Sequence, residues 1–138
     1  MKIAEINMLT SGSTGKIMFQ IAETARNQGC KVNTYSPVAF VRGKKNKLIS
    51  YKDHFWWGNR FESCAHYYLG VLFGVNGLLS INGTRQLIGE LKKFAPDVIH
   101  LHNLHGFCVN IPMLFNYIKK NNIKVVWTLH DCWAFTGH

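Results

Sequence analysis

The stretch that decides the fold is KIAEINMLTSGSTGKIMFQIAETARNQGCKVNTY, residues 2–35. Its first seven residues, 2–8, are mostly apolar and predict a short buried strand. A turn of small residues follows, and apolar side chains then recur at helical spacing over residues 16–28. Gly29 favours the end of that helix, and residues 30–35 predict a second strand. Strand, turn, helix and strand in this order predict a βαβ unit.

The rest of the chain alternates between the same two kinds of pattern. The predicted elements are helices at 55–73, 84–94 and 110–120, strands at 97–101 and 123–129, a short strand at 48–51, and a terminal loop, WAFTGH. The strand IKVVWTL is almost continuously apolar, which is typical of a strand buried on both faces of a parallel sheet. The alternation predicts the α/β class, with a Rossmann-like, doubly wound parallel sheet in a single domain, 1–138.

Composition indicates an ordinary globular domain. The 138 residues are 47% hydrophobic and 17% charged, and no apolar stretch is long enough to span a bilayer. The amino terminus, MKIAEINM, lacks the basic start and apolar centre of a signal peptide. None of the four cysteines is paired as C-x-x-C. We therefore expect a cytoplasmic protein with reduced thiols.

The chain is strongly basic. It has 16 Lys and Arg residues against 7 Asp and Glu residues, a formal net charge of +9. This charge favours anionic partners: nucleic acid, a phospholipid surface or a phosphorylated substrate. Zinc-finger spacing and RNA-binding signatures are missing from the sequence, so we do not expect nucleic acid. The lysines cluster where helix ends and loops are expected, and a solvated basic surface is the alternative: Lys44, Lys45, Lys47, Lys92, Lys93, Lys119, Lys120 and Lys124.

Polar groups follow three predicted strands, in the segments SGSTGK, HLHNLHG and LHD. Ligands of doubly wound sheets bind outside the carboxyl ends of the strands, so these segments are candidate binding elements. SGSTGK matches neither the Walker A pattern nor the dinucleotide fingerprint. It still leads into a helix amino terminus, where free N–H groups favour an anion such as a phosphate, and its candidate residues are Gly12, Ser13, Thr14, Gly15 and Lys16. The alternative is a plain turn capped by Ser13 or Thr14.

The histidines of HLHNLHG allow three interpretations. His100 and His102 share one face of a strand, and a metal pair of this kind would need a third ligand: His130, Asp131 or His138. A metal-dependent hydrolase built on His100, His102 and His130 is therefore one hypothesis. His100 alone also fits a hydrogen-bonded core histidine. The remaining interpretation is a pocket that hydrogen-bonds hydroxyl groups, lined by His102, Asn103 and His105.

His130 is the strongest single candidate for a catalytic residue. It ends the most apolar strand and precedes Asp131, so we expect it to face the ligand crevice. A histidine there can donate a hydrogen bond to a sugar hydroxyl or to a developing charge. The alternative is a histidine packed under the following loop. The aromatic stretch 55–73 is most simply a core helix, and Trp56 and Trp57 near Lys52 and Arg60 keep an interfacial role open.

Three motifs carry a resemblance to a known family: SGSTGKI at 11–17, DVIHLHNLHG at 97–106 and VVWTLHDCWAFTGH at 125–138. Together they resemble bacterial family 4 glycosyltransferases of the GT-B fold, of the colanic-acid, capsule or exopolysaccharide type. That resemblance implies two facing Rossmann-like domains, of which this chain is the amino-terminal, acceptor-side half. The carboxyl-terminal nucleotide-sugar domain and its pair of glutamates are absent from the 138 residues.

The resemblance also implies roles for individual residues. Gly12 to Gly15 would lie near the donor diphosphate, His130 would contact the donor sugar, and His102, Asn103 and His105 would line the acceptor side. Transfer would retain the anomeric configuration, with no metal and no cofactor beyond the nucleotide-sugar donor. The acceptor would be a lipid-linked or polysaccharide glycan at the inner face of the plasma membrane. The second hypothesis is a non-enzymatic ligand- or membrane-binding module that acts with a partner subunit.

Overall fold

The computed structural model describes residues 1–38 and 52–136. Its elements are β1 (Lys2–Ile6), α1 (Gly12–Asn27), β2 (Lys31–Pro37), β3 (His54–Trp57), α2 (Arg60–Phe73), α3 (Ile81–Phe94), β4 (Val98–Leu101), α4 (Ile111–Lys120), β5 (Lys124–Trp127) and α5 (Trp133–Thr136). The five strands form one sheet in the order β3-β2-β1-β4-β5, and every neighbouring pair is parallel. This confirms the predicted α/β class and the Rossmann-like parallel sheet.

The core lies against the two central strands of the sheet. Ala4 and Ile6 of β1 and Ile99 and Leu101 of β4 are completely buried. Helices α3 and α4 cover them with buried leucines and an isoleucine at helical spacing: Leu87, Leu91, Leu114 and Ile118. Burying each large aliphatic side chain of this kind contributes about 1.5–3 kcal/mol. The core therefore holds the carboxyl ends of β1 and β4 next to each other.

Helix α1 begins at Gly12, four residues before the predicted start at Lys16. Its N-cap is Ser11, so the alternative of a turn capped by Ser13 or Thr14 is wrong, and the Ser11 side chain makes no capping hydrogen bond. Gly15 explains the close approach of this helix to the preceding turn. A Cβ atom at Gly15 would lie 2.5 Å from the carbonyl carbon of Thr10, which leaves room for glycine alone.

The aromatic stretch is a strand followed by a helix, so the continuous helix predicted at 55–73 is wrong in its first part. β3 pairs in parallel with β2, and its residues, HFWW, are of the aromatic kind that strands favour. Gly58, at φ +74°, turns the chain, and the Asn59 carboxamide oxygen then accepts a hydrogen bond from the Glu62 N–H at 2.9 Å. This cap starts α2 at Arg60.

The outward face of α2 is apolar, which contradicts the interpretation of the whole stretch as a core helix. Phe61 is 88% exposed and Leu72 is 72% exposed. Other large apolar or aromatic side chains of the helix are also exposed: Tyr68, Leu69, Val71 and Phe73. The buried face consists instead of small or polar residues: Ser63, His66 and Gly70.

Strand β5 lies at the edge of the sheet, so the prediction that it is buried on both faces is wrong. Within the described part of the chain it pairs with β4 alone. Val125 is 37% exposed and Val126 is 52% exposed as a result. The predicted terminal loop contains a short helix, α5, whose first N–H, at Trp133, is bonded by the Asp131 carboxylate at 3.0 Å.

The lysine clusters fall partly where the sequence predicts them. Lys92 and Lys93 end α3, Lys119 and Lys120 end α4, and Lys124 instead begins β5. The remaining predicted features lie outside the described residues: Lys44, Lys45, Lys47, His138 and the short strand at 48–51. Across residues 1–38 and 52–136, no helix is long and apolar enough to cross a membrane.

Candidate functional site

The strand order changes direction between β1 and β4, and the candidate residues gather at that point. The His102 N–H donates to the Ile6 carbonyl at 2.9 Å, and the Met8 N–H donates to the Asn103 carbonyl at 3.0 Å. The loop after β1 therefore lies directly beside the loop after β4. A crevice at such a switch point is the usual ligand site of an open α/β sheet.

The glycine turn forms one side of this switch point. Gly12, Ser13 and Lys16 are exposed, and Thr14 is half-buried. The first turn of α1 contains no acidic residue and has no side-chain cap, so its N–H groups and the helix dipole remain available to an anion.

Beneath the turn, two buried polar atoms have no hydrogen-bond partner among the described residues. They are the Asn7 carboxamide oxygen and the Thr10 hydroxyl oxygen. The Asn7 amide nitrogen is occupied, since it donates to the Leu9 carbonyl at 3.0 Å and to the Thr14 hydroxyl at 3.4 Å. Buried oxygens without protein partners are compatible with a ligand or an ordered water at this turn.

Glu5 lies under the loop after β4 and is the one site residue that the sequence patterns miss. Its side chain is 1% exposed. His102 Nε2 is 2.9 Å from its Oε2, and His100 Nδ1 is 3.0 Å from Oε2 and 3.2 Å from Oε1. Burial raises the pKa of Glu5, but the hydrogen bonds and electrostatic attraction of His100 and His102 together outweigh burial and lower the pKa. A lone acidic residue inside an apolar strand was the available signal.

His100 is a buried, hydrogen-bonded histidine, as one of the sequence interpretations held. Its Nε2 lies 2.8 Å from the Thr128 hydroxyl, on the strand-end segment that follows β5. Its ring lies close to that of His102, with 4.3 Å between the ring centres and 37° between the ring planes. His100 therefore ties β1, β4 and the end of β5 together beneath the surface.

His130 sits on top of this buried network. Its Nε2 lies 3.0 Å from His102 Nδ1, and the two rings are nearly parallel, at 17°. Its side chain is half-buried, whereas His102 is fully buried with both ring nitrogens engaged. Burial and the neighbouring His102 lower the pKa of His130, and Asp131 opposes this shift.

The other predicted residues line a shallow pocket beside His130. Asn103, His105 and Asp131 border a space of about 180 Å³ together with Trp127 and Trp133. His105 Nδ1 lies 3.6 Å from Asp131 Oδ2, and the Trp127 indole N–H donates to the His102 carbonyl at 2.9 Å. Most of this space is open to solvent, and its enclosed part has room for little more than a water molecule. Sites that enclose a small ligand usually measure about 300–1,000 Å³, so this pocket can contact only part of one.

The third ligand that the sequence offers for a metal pair of His100 and His102 is His130, Asp131 or His138. The structure groups the pair with Glu5 instead, and the donor atoms of these three residues all lie within 4.8 Å of one another. Their spacings are those of hydrogen bonds between imidazole N–H groups and a carboxylate. His130 contacts the opposite nitrogen of His102 and does not join this group. Hydrogen bonding therefore accounts for the positions of Glu5, His100 and His102, which form a buried hydrogen-bonded network.

Comparison with known proteins gives two similar sequences. Over 145 aligned positions, 99% of this chain is 24% identical to a colanic acid biosynthesis glycosyl transferase, WcaC, of Escherichia coli (strain K12). Over 48 positions, 32% of the chain is 44% identical to the glycogen synthase of Clostridium novyi (strain NT). No protein-family model matches the chain.

The chain spans only part of both relatives, since the alignments cover 35% of WcaC and 10% of the glycogen synthase. Both proteins are named as enzymes that transfer or polymerise sugars. The distant match over nearly the whole chain and the short match of higher identity support the same general relationship. In sequence, the chain resembles glycosyltransferases.

Proposed function

We propose that this chain forms the acceptor-side, Rossmann-like domain of a retaining glycosyltransferase of the GT-B, family 4 type. The enzyme would move a sugar from a nucleotide-sugar to a lipid-linked or polysaccharide acceptor. The observation that carries the proposal is that an uncapped helix amino terminus follows β1 at the same edge of the sheet where His102 contacts His130. An anion-binding turn and a hydrogen-bonding imidazole at one edge suit a sugar diphosphate.

We propose a separate binding role for each group of candidate residues. Residues Gly12 to Lys16 would receive the donor diphosphate at the start of α1, where two buried oxygens lack protein partners. His130 would contact the donor sugar. Asn103, His105 and Asp131 would bind the acceptor through the pocket they border. His102 is fully buried, so its contribution to binding would pass through His130.

A second domain would hold the nucleotide. The shallow pocket is open to solvent and can contact only part of a ligand, and the alignment covers 35% of WcaC. Both observations support a chain that supplies one wall of an active site. We propose that chemistry proceeds without a metal or a further cofactor, because hydrogen bonds account for the positions of the buried imidazoles and carboxylate.

The test is a sugar-transfer assay on the complete open reading frame that contains this sequence. A panel of radiolabelled nucleotide-sugars is offered with a polyprenyl-diphosphate-linked glycan as acceptor. We expect transfer by the wild type and a loss of about 10²–10³ in kcat for His130→Ala, the effect of removing one polar contact made to the reacting sugar in the transition state. Lys124→Ala, at the opposite end of the same strand, is the matched control and should retain full activity. Normal turnover by His130→Ala would show that the assigned site is wrong.

The exposed apolar face of α2 favours a role at a membrane surface. Phe61, Tyr68 and Leu72 recur at helical spacing on one face and are 62–88% exposed. The net charge of +9 complements anionic phospholipid. We therefore place the proposed enzyme in the cytoplasm, bound peripherally to the inner face of the plasma membrane. Such binding would bring a lipid-linked acceptor to the pocket.

Membrane binding can be measured by sedimentation with vesicles of phosphatidylcholine, with or without phosphatidylglycerol. We expect the chain to bind the anionic vesicles, and Phe61→Ser with Leu72→Ser to bind them at least tenfold more weakly. Phe135→Ser, at an equally exposed phenylalanine on α5, is the control. Vesicle binding without sugar transfer by the complete reading frame would favour the non-enzymatic module that acts with a partner. Lack of binding at low salt would contradict a role at the membrane surface for both the enzyme and the non-enzymatic module.

A further inference from the structure

The contacts around Glu5 determine which ring nitrogens carry protons. An ionised carboxylate only accepts hydrogen bonds, so the nitrogens that face Glu5 must be N–H donors. These are Nδ1 of His100 and Nε2 of His102, at 3.0 and 2.9 Å from Oε2. A neutral imidazole has one donor and one acceptor, so the remaining nitrogen of each ring accepts. The Thr128 hydroxyl therefore donates to His100 Nε2, and His102 Nδ1 is an acceptor.

The same reasoning extends to His130. Its Nε2 lies 3.0 Å from the acceptor nitrogen of His102, so Nε2 must be the donor. The remaining nitrogen, Nδ1, then carries a lone pair and has no partner among the described residues. The Glu5 carboxylate therefore determines the tautomer of His102, and His102 in turn determines the tautomer of His130.

We propose that Glu5 and His102 are positioning residues that hold His130 in the Nε2–H tautomer, with Nδ1 available as a hydrogen-bond acceptor. The ligand group that meets His130 Nδ1 is then a donor, and a hydroxyl fits where a phosphate oxygen or a carbonyl does not. The assignment of tautomers follows from the contacts of an ionised Glu5 with neutral His100 and His102 rings. The choice of a sugar hydroxyl as the ligand group rests on the proposed function.

The tautomers can be observed directly by ¹⁵N nuclear magnetic resonance on the purified, uniformly labelled chain at neutral pH. We expect protonated Nε2 and unprotonated Nδ1 in both His102 and His130. We also expect a scalar coupling across the hydrogen bond from His130 Nε2 to His102 Nδ1. A protonated His102 Nδ1, or no coupling, would overturn the proposal. This measurement needs no variant and no substrate.

Substitution then tests the part assigned to Glu5. Glu5→Leu removes the acceptor, so we expect the tautomers of His102 and His130 to mix or reverse. Glu23→Leu, on the exposed side of α1, is the control and should leave the spectrum of both rings unchanged. An unchanged wild-type pattern in a folded Glu5→Leu variant would overturn the role of Glu5. Because these readouts involve no sugar transfer, an inactive enzyme with the expected tautomers would refute the proposed function alone.

Discussion

His102 and His130 meet ring to ring at the carboxyl ends of neighbouring strands, with 3.0 Å between Nδ1 and Nε2 and 5.3 Å between the ring centres. One ring is fully buried against a carboxylate, and the other is half-buried at the edge of the crevice. The pair therefore joins the interior of the sheet to its ligand-facing edge. The two histidines should contribute very differently to stability.

We expect His102→Leu to lower the free energy of unfolding by about 3 kcal/mol, because it takes a hydrogen-bond donor from the buried charge of Glu5. His130→Leu should cost less than about 1 kcal/mol, since it leaves the Glu5 contacts in place. Urea unfolding followed by circular dichroism measures both. Equal losses for the two variants would contradict the asymmetry.

Alanine substitutions of Gly15 and Gly89 should have opposite effects on stability, because an added Cβ meets other atoms at Gly15 and none at Gly89. Gly15→Ala should destabilise the chain by about 1–3 kcal/mol, because the added Cβ meets the Thr10 carbonyl carbon at 2.5 Å. Gly89 lies inside α3 with no atom within 4 Å of an added Cβ. Gly89→Ala should therefore stabilise the chain by about 0.5–1 kcal/mol through helix propensity. Thermal unfolding would reveal the difference, and a neutral Gly15→Ala would refute the contact.

Acidification should weaken the fold well before the carboxylates titrate. Burial lowers the pKa of His54 from its ordinary 6.5 to about 4, so the unfolded chain takes up this proton first as pH falls. The contribution of neutral His54 is thus fully present above about pH 6.5 and declines from there down to about pH 4. His54→Phe should flatten the slope of unfolding free energy against pH in this interval. An unchanged slope would mean that His54 titrates normally in the folded chain.

Asn110 should matter more than an ordinary helix cap. Its carboxamide oxygen accepts from the Met113 N–H at 2.9 Å to start α4, and its amide nitrogen donates to the Leu78 carbonyl. Asn59 caps α2 in the same way but has no such second bond among its described contacts. Asn59→Ala should cost about 1 kcal/mol and Asn110→Ala about 2 kcal/mol, by the loss of a cap and of a further hydrogen bond. Comparable losses in urea titrations would argue against the second bond.

Local periodicity predicted most of the sheet and the helices, since α3, α4 and the strand before the HLHNLHG loop depend on patterns that lie within a few residues. β3 was missed because aromatic residues such as those at 54–57 suit both strands and exposed helix faces, and pairing with β2 decides between them. The exposure of β5 depends on what lies beside it, and no local pattern contains that information.

The candidate site, like the fold, could be predicted from the sequence only in part. The sequence places the strand-end residues at one edge, because all parallel strands end there, and the structure brings His102 and His130 into contact. The sequence shows Glu5 as a lone acidic residue in an apolar strand, but it does not show its partners, His100 and His102, which lie 95 and 97 positions away in the chain. Burial also distinguishes two neighbouring candidates to which the sequence gives the same role, since His102 is fully buried and Asn103 borders the pocket.

The exposed edge of β5 also has a consequence for the colloidal behaviour of the chain. Val125 and Val126 flank backbone groups that no described strand occupies, and such an edge can template sheet growth between molecules. We expect concentrated solutions to self-associate reversibly through this edge, as light scattering would detect. A proline at position 125 should suppress that association, because it removes an N–H group and obstructs an incoming strand. The edge of β5 would then set the protein concentration above which the chain is no longer monomeric.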